Sequence, residues 1–427
     1  MFQNVAKKAV SNENLNTDLA SIFQNIEDSS NDTNSEKCFK GLFNDFDLNS
    51  ESRLGNTLEK RNKKLASLLT KIAAIDFGSD YMKNNYSDVF GDAYEYLMGM
   101  YASDAGRKGG EFFTPQEVSE LLTRICVLGK EHVNKVYDFT CGSGSLLLKS
   151  AKILGNEKNV DVGYFGQEVN STTYNLCRIN MVLHGIPYEK FDIACEDTLI
   201  KPMHWDDEPF EVIVSNPPYS VPWKGDDDIT LINDPRFSPA GVLAPKSKAD
   251  FAFIMHADAW LAPNGVAAIV CFPGIMYRSG AEQKIRKYLI DNNRINCIIQ
   301  LPENLFFGTT ISTCIMVMKK NKTDNKVLFI DASKEFVKET NQNRLSADNI
   351  ENIMELYIKR TNIDYQSKLV DYADIVKTKY NLSVSTYVEK EDTREVIDID
   401  DLNAKLDAII AKENQLRLDI ANIIKEI

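Results

Sequence analysis

Lys135-Val136-Tyr137-Asp138-Phe139-Thr140-Cys141-Gly142-Ser143-Gly144-Ser145-Leu146-Leu147-Leu148 is the stretch from which the fold is read. A short apolar run breaks at a Gly-x-Gly turn, and leucines resume directly behind it. The pattern is a strand, a tight loop at its carboxyl end and the first turn of a helix. Glycines there let a nucleoside approach the backbone closely. Leu147 stands where a dinucleotide-binding turn has its third glycine, so a pyrophosphate is disfavoured.

Similar units follow on both sides. Candidate strands are 135–139, 162–166, 191–194, 211–215, 265–271, 296–300 and 314–318, with helical patterns between most of them. One helix carries Phe253, Ile254, Ala257, Trp260 and Leu261 as an apolar stripe and is closed by Pro263-Asn264-Gly265. Alternating strands and helices imply a mostly parallel sheet covered on both faces. Ligands of such sheets bind beyond the carboxyl ends of the strands.

Three further strand ends carry chemistry. Glu168 closes Tyr164-Phe165-Gly166-Gln167 and is placed to accept hydrogen bonds from ribose hydroxyls. Asp197, in Glu196-Asp197-Thr198, can accept from an adenine amino group. Asn216-Pro217-Pro218-Tyr219 ends the run Val212-Ile213-Val214 and brings an amide, a carbonyl locked by proline and an aromatic ring to one spot. Those groups suit gripping an exocyclic amine and stacking on its ring. A nucleoside cofactor without a pyrophosphate, S-adenosylmethionine, fits these parts.

The wider composition narrows the class. The 427 residues suffice for two or three domains, and 43% hydrophobic with 26% charged residues is ordinary for a globular protein. No apolar run approaches the length of a membrane span and no signal peptide opens the chain, so a cytoplasmic protein is expected. Eight scattered cysteines form no Cys-x-x-Cys and read as buried thiols. Four lone histidines offer no metal site. The net charge of −13 is unlike that of autonomous DNA-binding proteins, whose affinity rests on phosphate neutralisation.

The chain divides into a polar helical region at 1–90, a catalytic domain at 91–330 and a C-terminal region at 331–427. Around residue 60, Lys60, Arg61, Lys63 and Lys64 lead into Leu65, Leu68, Leu69 and Ile72, an amphipathic helix with a solvated basic face. The last helix carries Leu402, Leu406, Ile409, Leu416, Ile420, Ile423 and Ile427 at steps of three and four, with Glu413 as the one polar intruder, a heptad seam suited to docking another helix.

Asp138…Gly142-x-Gly144, Glu168, Asp197 and Asn216-Pro217-Pro218-Tyr219, in that order, resemble the amino-group DNA methyltransferases that act on adenine. Gly109-Gly110-Glu111-Phe112-Phe113-Thr114-Pro115-Gln116 looks like the family's additional cofactor motif, and its upstream position matches the γ arrangement. Asp250-Phe251-Ala252-Phe253, Leu301-Pro302-Glu303-Asn304-Leu305-Phe306, Asn341-Gln342-Asn343 and Tyr380-Asn381-Leu382 are similar to the modification subunit of type I restriction–modification systems. The resemblance implies a Rossmann-like α/β fold with seven strands, helical regions at both ends and S-adenosylmethionine as cofactor. It implies that Glu111, Phe112, Phe113, Thr114, Pro115, Gln116, Asp138, Gly142, Ser143, Gly144, Ser145, Glu168 and Asp197 hold that cofactor. Asn216, Pro217, Pro218 and Tyr219 would be catalytic on the N6 amine of a flipped adenine. The implied partners are DNA, a specificity subunit docked on the C-terminal helix, a second copy and a restriction subunit, with no membrane. Such subunits usually carry a longer N-terminal helical region than the 90 residues present. A methyltransferase for protein glutamine or RNA, or a silent assembly subunit, is the alternative.

Overall fold

A computed structural model describes residues 9–74, 114–155, 159–205, 209–306, 310–339, 342–391 and 399–426. The chain forms two units, Met1–Val388 and Glu389–Ile427.

The first unit begins with helices α1 (Leu15–Asp28), α2 (Glu36–Phe39), α3 (Glu51–Leu54) and α4 (Leu58–Ala73). Leu15 and Leu19 of α1 meet Leu65, Ala66 and Leu69 of α4 in a small core of their own. Leu68, expected on the apolar face, is exposed, because the buried stripe of α4 runs through 62, 65, 66 and 69. Lys60, Lys63 and Lys64 are exposed.

The central part follows as α5 (Gln116–Val127), β1 (Val133–Asp138), α6 (Ser145–Leu154), β2 (Val160–Glu168), α7 (Ser171–Leu183) and β3 (Phe191–Cys195). It continues through β4 (Phe210–Ser215), α8 (Asp250–Trp260), β5 (Leu261–Cys271), α9 (Ala281–Asp291), β6 (Ile295–Gln300), β7 (Cys314–Lys319) and β8 (Val327–Asp331). A small hairpin, β9 (Val337–Lys338) with β10 (Asn343–Arg344), precedes α10 (Ala347–Lys359), β11 (Ser367–Val370) and α11 (Tyr372–Lys377).

All seven expected strands form, with ends displaced by at most four residues and five ends unmoved. They belong to a nine-stranded sheet of order β11-β8-β6-β7-β5-β4-β1-β2-β3. Strand β7 runs antiparallel between β5 and β6, and β11 runs antiparallel to β8; the other pairings are parallel. The two added strands lie on one side, and β8 straddles residue 330, so the sheet runs past the expected domain boundary. Strand β5 begins at Leu261 rather than 265, because a register shift opposite Phe210 absorbs the Pro263-Asn264 turn.

The central strands alternate between two cores, as a sheet buried on both faces requires. Val212 and Val214, Val266 and Ala268, and Ile315 and Val317 face α5, α6, α7 and α10. Ile213, Ala267, Ile269, Met316 and Phe329 face α8, α9 and α11. Helix α8 does not present a stripe; it is buried nearly all round.

The functional consequence lies in the strand order. After β1 the chain proceeds outward to β2 and β3, then returns to place β4 on the other side of β1. Doubly wound sheets open a ligand crevice at that reversal, beyond the carboxyl ends of the two strands. Here those ends are Asp138 and Ser215.

The second unit contains α12 (Ile399–Glu426). Ile399, Leu402, Leu406, Ile409, Leu416, Ile420 and Ile423 are all exposed; Ile427 lies outside the described residues. Among the described residues no helix is long and apolar enough to cross a membrane.

Candidate active site

The strand-to-helix turn after β1 is built on left-handed glycines. Gly142 has φ 54° and Gly144 has φ 85°, a region that residues with a Cβ rarely enter. A Cβ on Gly144 would also lie 2.8 Å from Cys177 Sγ. Asn180 of α7 donates to the Ser143 carbonyl at 3.0 Å, tying the turn to its neighbouring helix. Ser143 and Ser145 are buried.

Asp138, at the tip of β1, is fully buried. Its Oδ1 accepts from Ser215 Oγ at 2.7 Å and from the Thr140 N–H at 3.1 Å. Because Ser215 donates there, Thr140 Oγ1 is the donor in its 2.7 Å bond to Ser215. This chain joins the tips of β1 and β4. Oδ2 of Asp138 is buried without a partner among the described residues. Burial pushes the Asp138 carboxyl up to about 7, against the hydrogen bonds from Ser215 and Thr140, with a smaller push from the Glu168 charge.

Glu168 ends β2. Its Oε2 accepts from the Gly142 N–H at 3.0 Å and its Oε1 from the Asn170 N–H at 2.8 Å. Burial raises its pKa against these two bonds. Asp197 is exposed at the rim beyond β3, its Oδ1 accepting from the Leu199 N–H at 2.9 Å. Gln167, a site residue that the sequence reading missed, is fully buried and donates to the Glu196 and Lys201 carbonyls at 3.1 and 2.8 Å.

On the β4 side, Asn216 Nδ2 donates to Thr114 Oγ1 at 3.1 Å, while Oδ1 accepts from Tyr219 Oη at 2.9 Å. The turn leaves through Ser220, whose φ of 51° is unusual outside glycine, and its N–H donates to Asp250 Oδ1 at 3.1 Å. Backbone held in a sparsely populated region and over-determined by its surroundings is common at working sites.

One pocket of about 320 Å³ is lined by residues from both sides, including Gly142, Glu168 and Asp197 with Asn216 and Pro218. That lies within the size range of small-molecule sites. Phe139 and Phe253 also line it, their rings stacked with centroids 5.8 Å apart, and Trp223 contributes from the segment between β4 and α8. Phe253 reads in the sequence as core, and only the pocket reveals its second face. Asp138, Ser143, Gly144, Ser145, Pro217, Tyr219, Thr114, Pro115 and Gln116 are not among its lining residues, although Thr114 and Tyr219 bond to Asn216, which is. Glu111, Phe112 and Phe113 lie outside the described residues.

Acidic acceptors, an apolar flat-sided wall and an orphaned buried carboxylate oxygen suit a flat heterocycle carrying hydroxyls and positive charge. The donor set therefore fits S-adenosylmethionine. Among the described residues no group of His, Cys, Asp or Glu is placed to hold a metal.

Comparison with known proteins agrees in direction. Residues 85–396 match the N-6 DNA methylase family. The chain is 50% identical to the type I restriction enzyme MpnII methylase subunit of Mycoplasma pneumoniae, over all of this chain and 80% of that protein. It is 32% identical to the MjaVII methylase subunit of Methanocaldococcus jannaschii, over 79% of this chain and 59% of that protein. The crystal structure of a type I restriction-modification methyltransferase subunit from Streptococcus thermophilus superposes with a TM-score of 0.82 at 41% identity, over 91% of this chain and 80% of that one.

Proposed function

This chain belongs to the N-6 DNA methylase family, and from that membership we propose a site-specific adenine methyltransferase that works as the modification subunit of a type I restriction–modification complex. The observation that carries the reading is the single pocket shared by Glu168, Asp197, Asn216 and Pro218.

S-adenosylmethionine supplies an electrophilic methyl group on its sulfonium. Glu168 accepts from the ribose hydroxyls and Asp197 from the adenine amino group. Asp138, Gly142, Ser143, Gly144 and Ser145 shape the turn beneath, and the motif Glu111, Phe112, Phe113, Thr114, Pro115 and Gln116 is assigned to the cofactor by its resemblance to the family's additional motif. Asn216 Oδ1 and the Pro217 carbonyl accept from the two N–H groups of the target amine. The nitrogen lone pair is then less delocalised into the ring and faces the donor. Pro218 fixes the turn and Tyr219 stacks on the extruded base. Extrusion costs a few kcal/mol, and stacking returns about 1–3 kcal/mol. Positioning does most of the work, as expected where no nucleophile needs activation.

The acidic chain, at net −13, needs a partner to grip the phosphates. A specificity subunit docking on α12 supplies that grip, with a second copy and a restriction subunit completing the complex in the cytoplasm. Domain roles follow as a helical N-terminal region, a catalytic sheet domain and a C-terminal docking helix.

Methyl transfer from labelled cofactor is measured on DNA, RNA and protein with the specificity subunit present. DNA adenine should be labelled, and Asn216→Ala should lower the rate about a hundredfold or more while the cofactor still binds. Label on RNA or glutamine, or near-normal transfer by the variant, would overturn the reading.

A further inference from the structure

Arg236 lies in the long segment between β4 and α8, in none of the motifs above, and is 5% exposed. Each of its five N–H donors has an acceptor. Nε meets Asp234 Oδ1 at 3.0 Å and Nη2 meets Asp234 Oδ2 at 2.7 Å. The remaining Nη2 donor reaches the Leu199 carbonyl at 2.7 Å. Nη1 reaches the Thr198 carbonyl at 2.7 Å and His256 Nδ1 at 3.3 Å. Arginine only donates, so Nδ1 of His256 is the acceptor and its Nε2–H faces Tyr137 Oη at 3.1 Å. His256 is fully buried, and burial, with Arg236 beside it, holds its pKa well below the usual range.

The acceptors belong to different walls of one pocket. Thr198 and Leu199 line it next to Asp197, and Thr198 Oγ1 donates to the carbonyl of Phe139, another lining residue, at 2.6 Å. His256 stands one turn along α8 from Phe253. Phe237, next to Arg236, packs edge-on against Trp223 at 5.4 Å. The loop after β3, helix α8 and the β4–α8 segment thus meet at one guanidinium, and the tip of β1 is tied to it through Thr198 and His256. A lysine there offers a single point of donation and cannot span a carboxylate, two carbonyls and an imidazole.

We infer that Arg236 is a positioning residue for cofactor selection: it fixes the Thr198 and Leu199 carbonyls and so holds the Asp197 turn where that carboxylate reads the adenine amino group. The inference rests on the S-adenosylmethionine reading of the pocket. Arg236 touches no ligand itself. It acts through the turn whose geometry its fork determines.

The test uses the full chain, joined by the specificity subunit and DNA where kcat is read. Affinities for S-adenosylmethionine, S-adenosylhomocysteine and S-inosylhomocysteine are measured by calorimetry in wild type, Arg236→Lys and Asp234→Asn. Wild type should prefer the adenine ligand to its hypoxanthine analogue. Arg236→Lys should weaken S-adenosylmethionine binding about tenfold and erase most of that preference, while kcat at saturating cofactor stays within about threefold. Asp234→Asn keeps the shape of the anchor but loosens it, with a weakening of about threefold and faster amide exchange in 196–203 but not in 145–154. A merely structural role would lower stability without altering the preference between the two bases. Should Arg236→Lys fail to fold, the Asp234→Asn affinity and exchange decide alone. Unchanged affinity and base preference in the folded variants would overturn the inference. A wild type that binds none of the three ligands would instead overturn the cofactor reading beneath it.

Discussion

Asn216 Oδ1 already accepts from Tyr219 Oη, which engages one lone pair of the oxygen that the proposed mechanism gives to the target amine. A base entering the site must share that oxygen with the hydroxyl or displace it, and one such bond is worth about 1 kcal/mol net. Tyr219→Phe removes the competitor and keeps the ring, so capture of the flipped base should tighten by about two- to tenfold. Tyr219→Ala removes the ring and should weaken capture by about five- to a hundredfold. Fluorescence of 2-aminopurine at the target position reads both; effects of equal sign would contradict the account. Asp138 gives a prediction in pH. Held near 7 against an ordinary 3.8, it keeps a proton that the unfolded chain releases. Its contribution to stability is complete below about pH 4 and is lost as pH rises to about 7, with an upper bound of about 4 kcal/mol. Asp138→Asn has no proton to lose, so urea unfolding between about pH 5.5 and 7.5 should show a shallower slope in the variant than in wild type. At this scale the sequence displays residues that sit in contiguous motifs, such as Glu168 and Asn216. It hides Arg236, Gln167 and Trp223, which draw partners from other segments, Thr198 and Leu199 in the case of Arg236, and which no spacing announces.

The glycine turn between β1 and α6 is the element whose backbone admits least change. Alanine at Gly144 would be held in a left-handed conformation costing about 1–2 kcal/mol, and its Cβ would press on Cys177 Sγ. Gly144→Ala should therefore lower stability by at least that amount and weaken cofactor binding about tenfold or more, because the turn carries Gly142 against Glu168. Adding Cys177→Ala should recover part of the loss by relieving the contact but not the dihedral strain. Denaturant curves and calorimetry on the single and double variants check this; full recovery, or none, would contradict it. The interior strands were legible because buried parallel strands read as apolar runs with clear ends. Strand β11 was not, since its four residues alternate too briefly to stand out. Strand β8 was lost at an assumed boundary, although its Val327-Leu328-Phe329-Ile330 run is as apolar as the others.

At the scale of the whole molecule the proposal gives methyl transfer to one unit and docking to the other. All described residues of α12 are exposed up to 425, and the two cores of the sheet contain none of its residues. Deleting 399–427 should leave S-adenosylmethionine affinity within about twofold of wild type, and it should abolish co-purification with the specificity subunit. Calorimetry and pull-down make the measurement, and retained assembly would show that the partner grips elsewhere. The heptad seam was visible in sequence because its period needs no tertiary context. The same helix carries a further consequence. Twenty-eight residues of helix with an uncovered row of leucine and isoleucine are what chaperones and proteases seize. An orphaned copy would be short-lived, so the abundance of the protein would track that of its companion through degradation, whatever the output of its own gene.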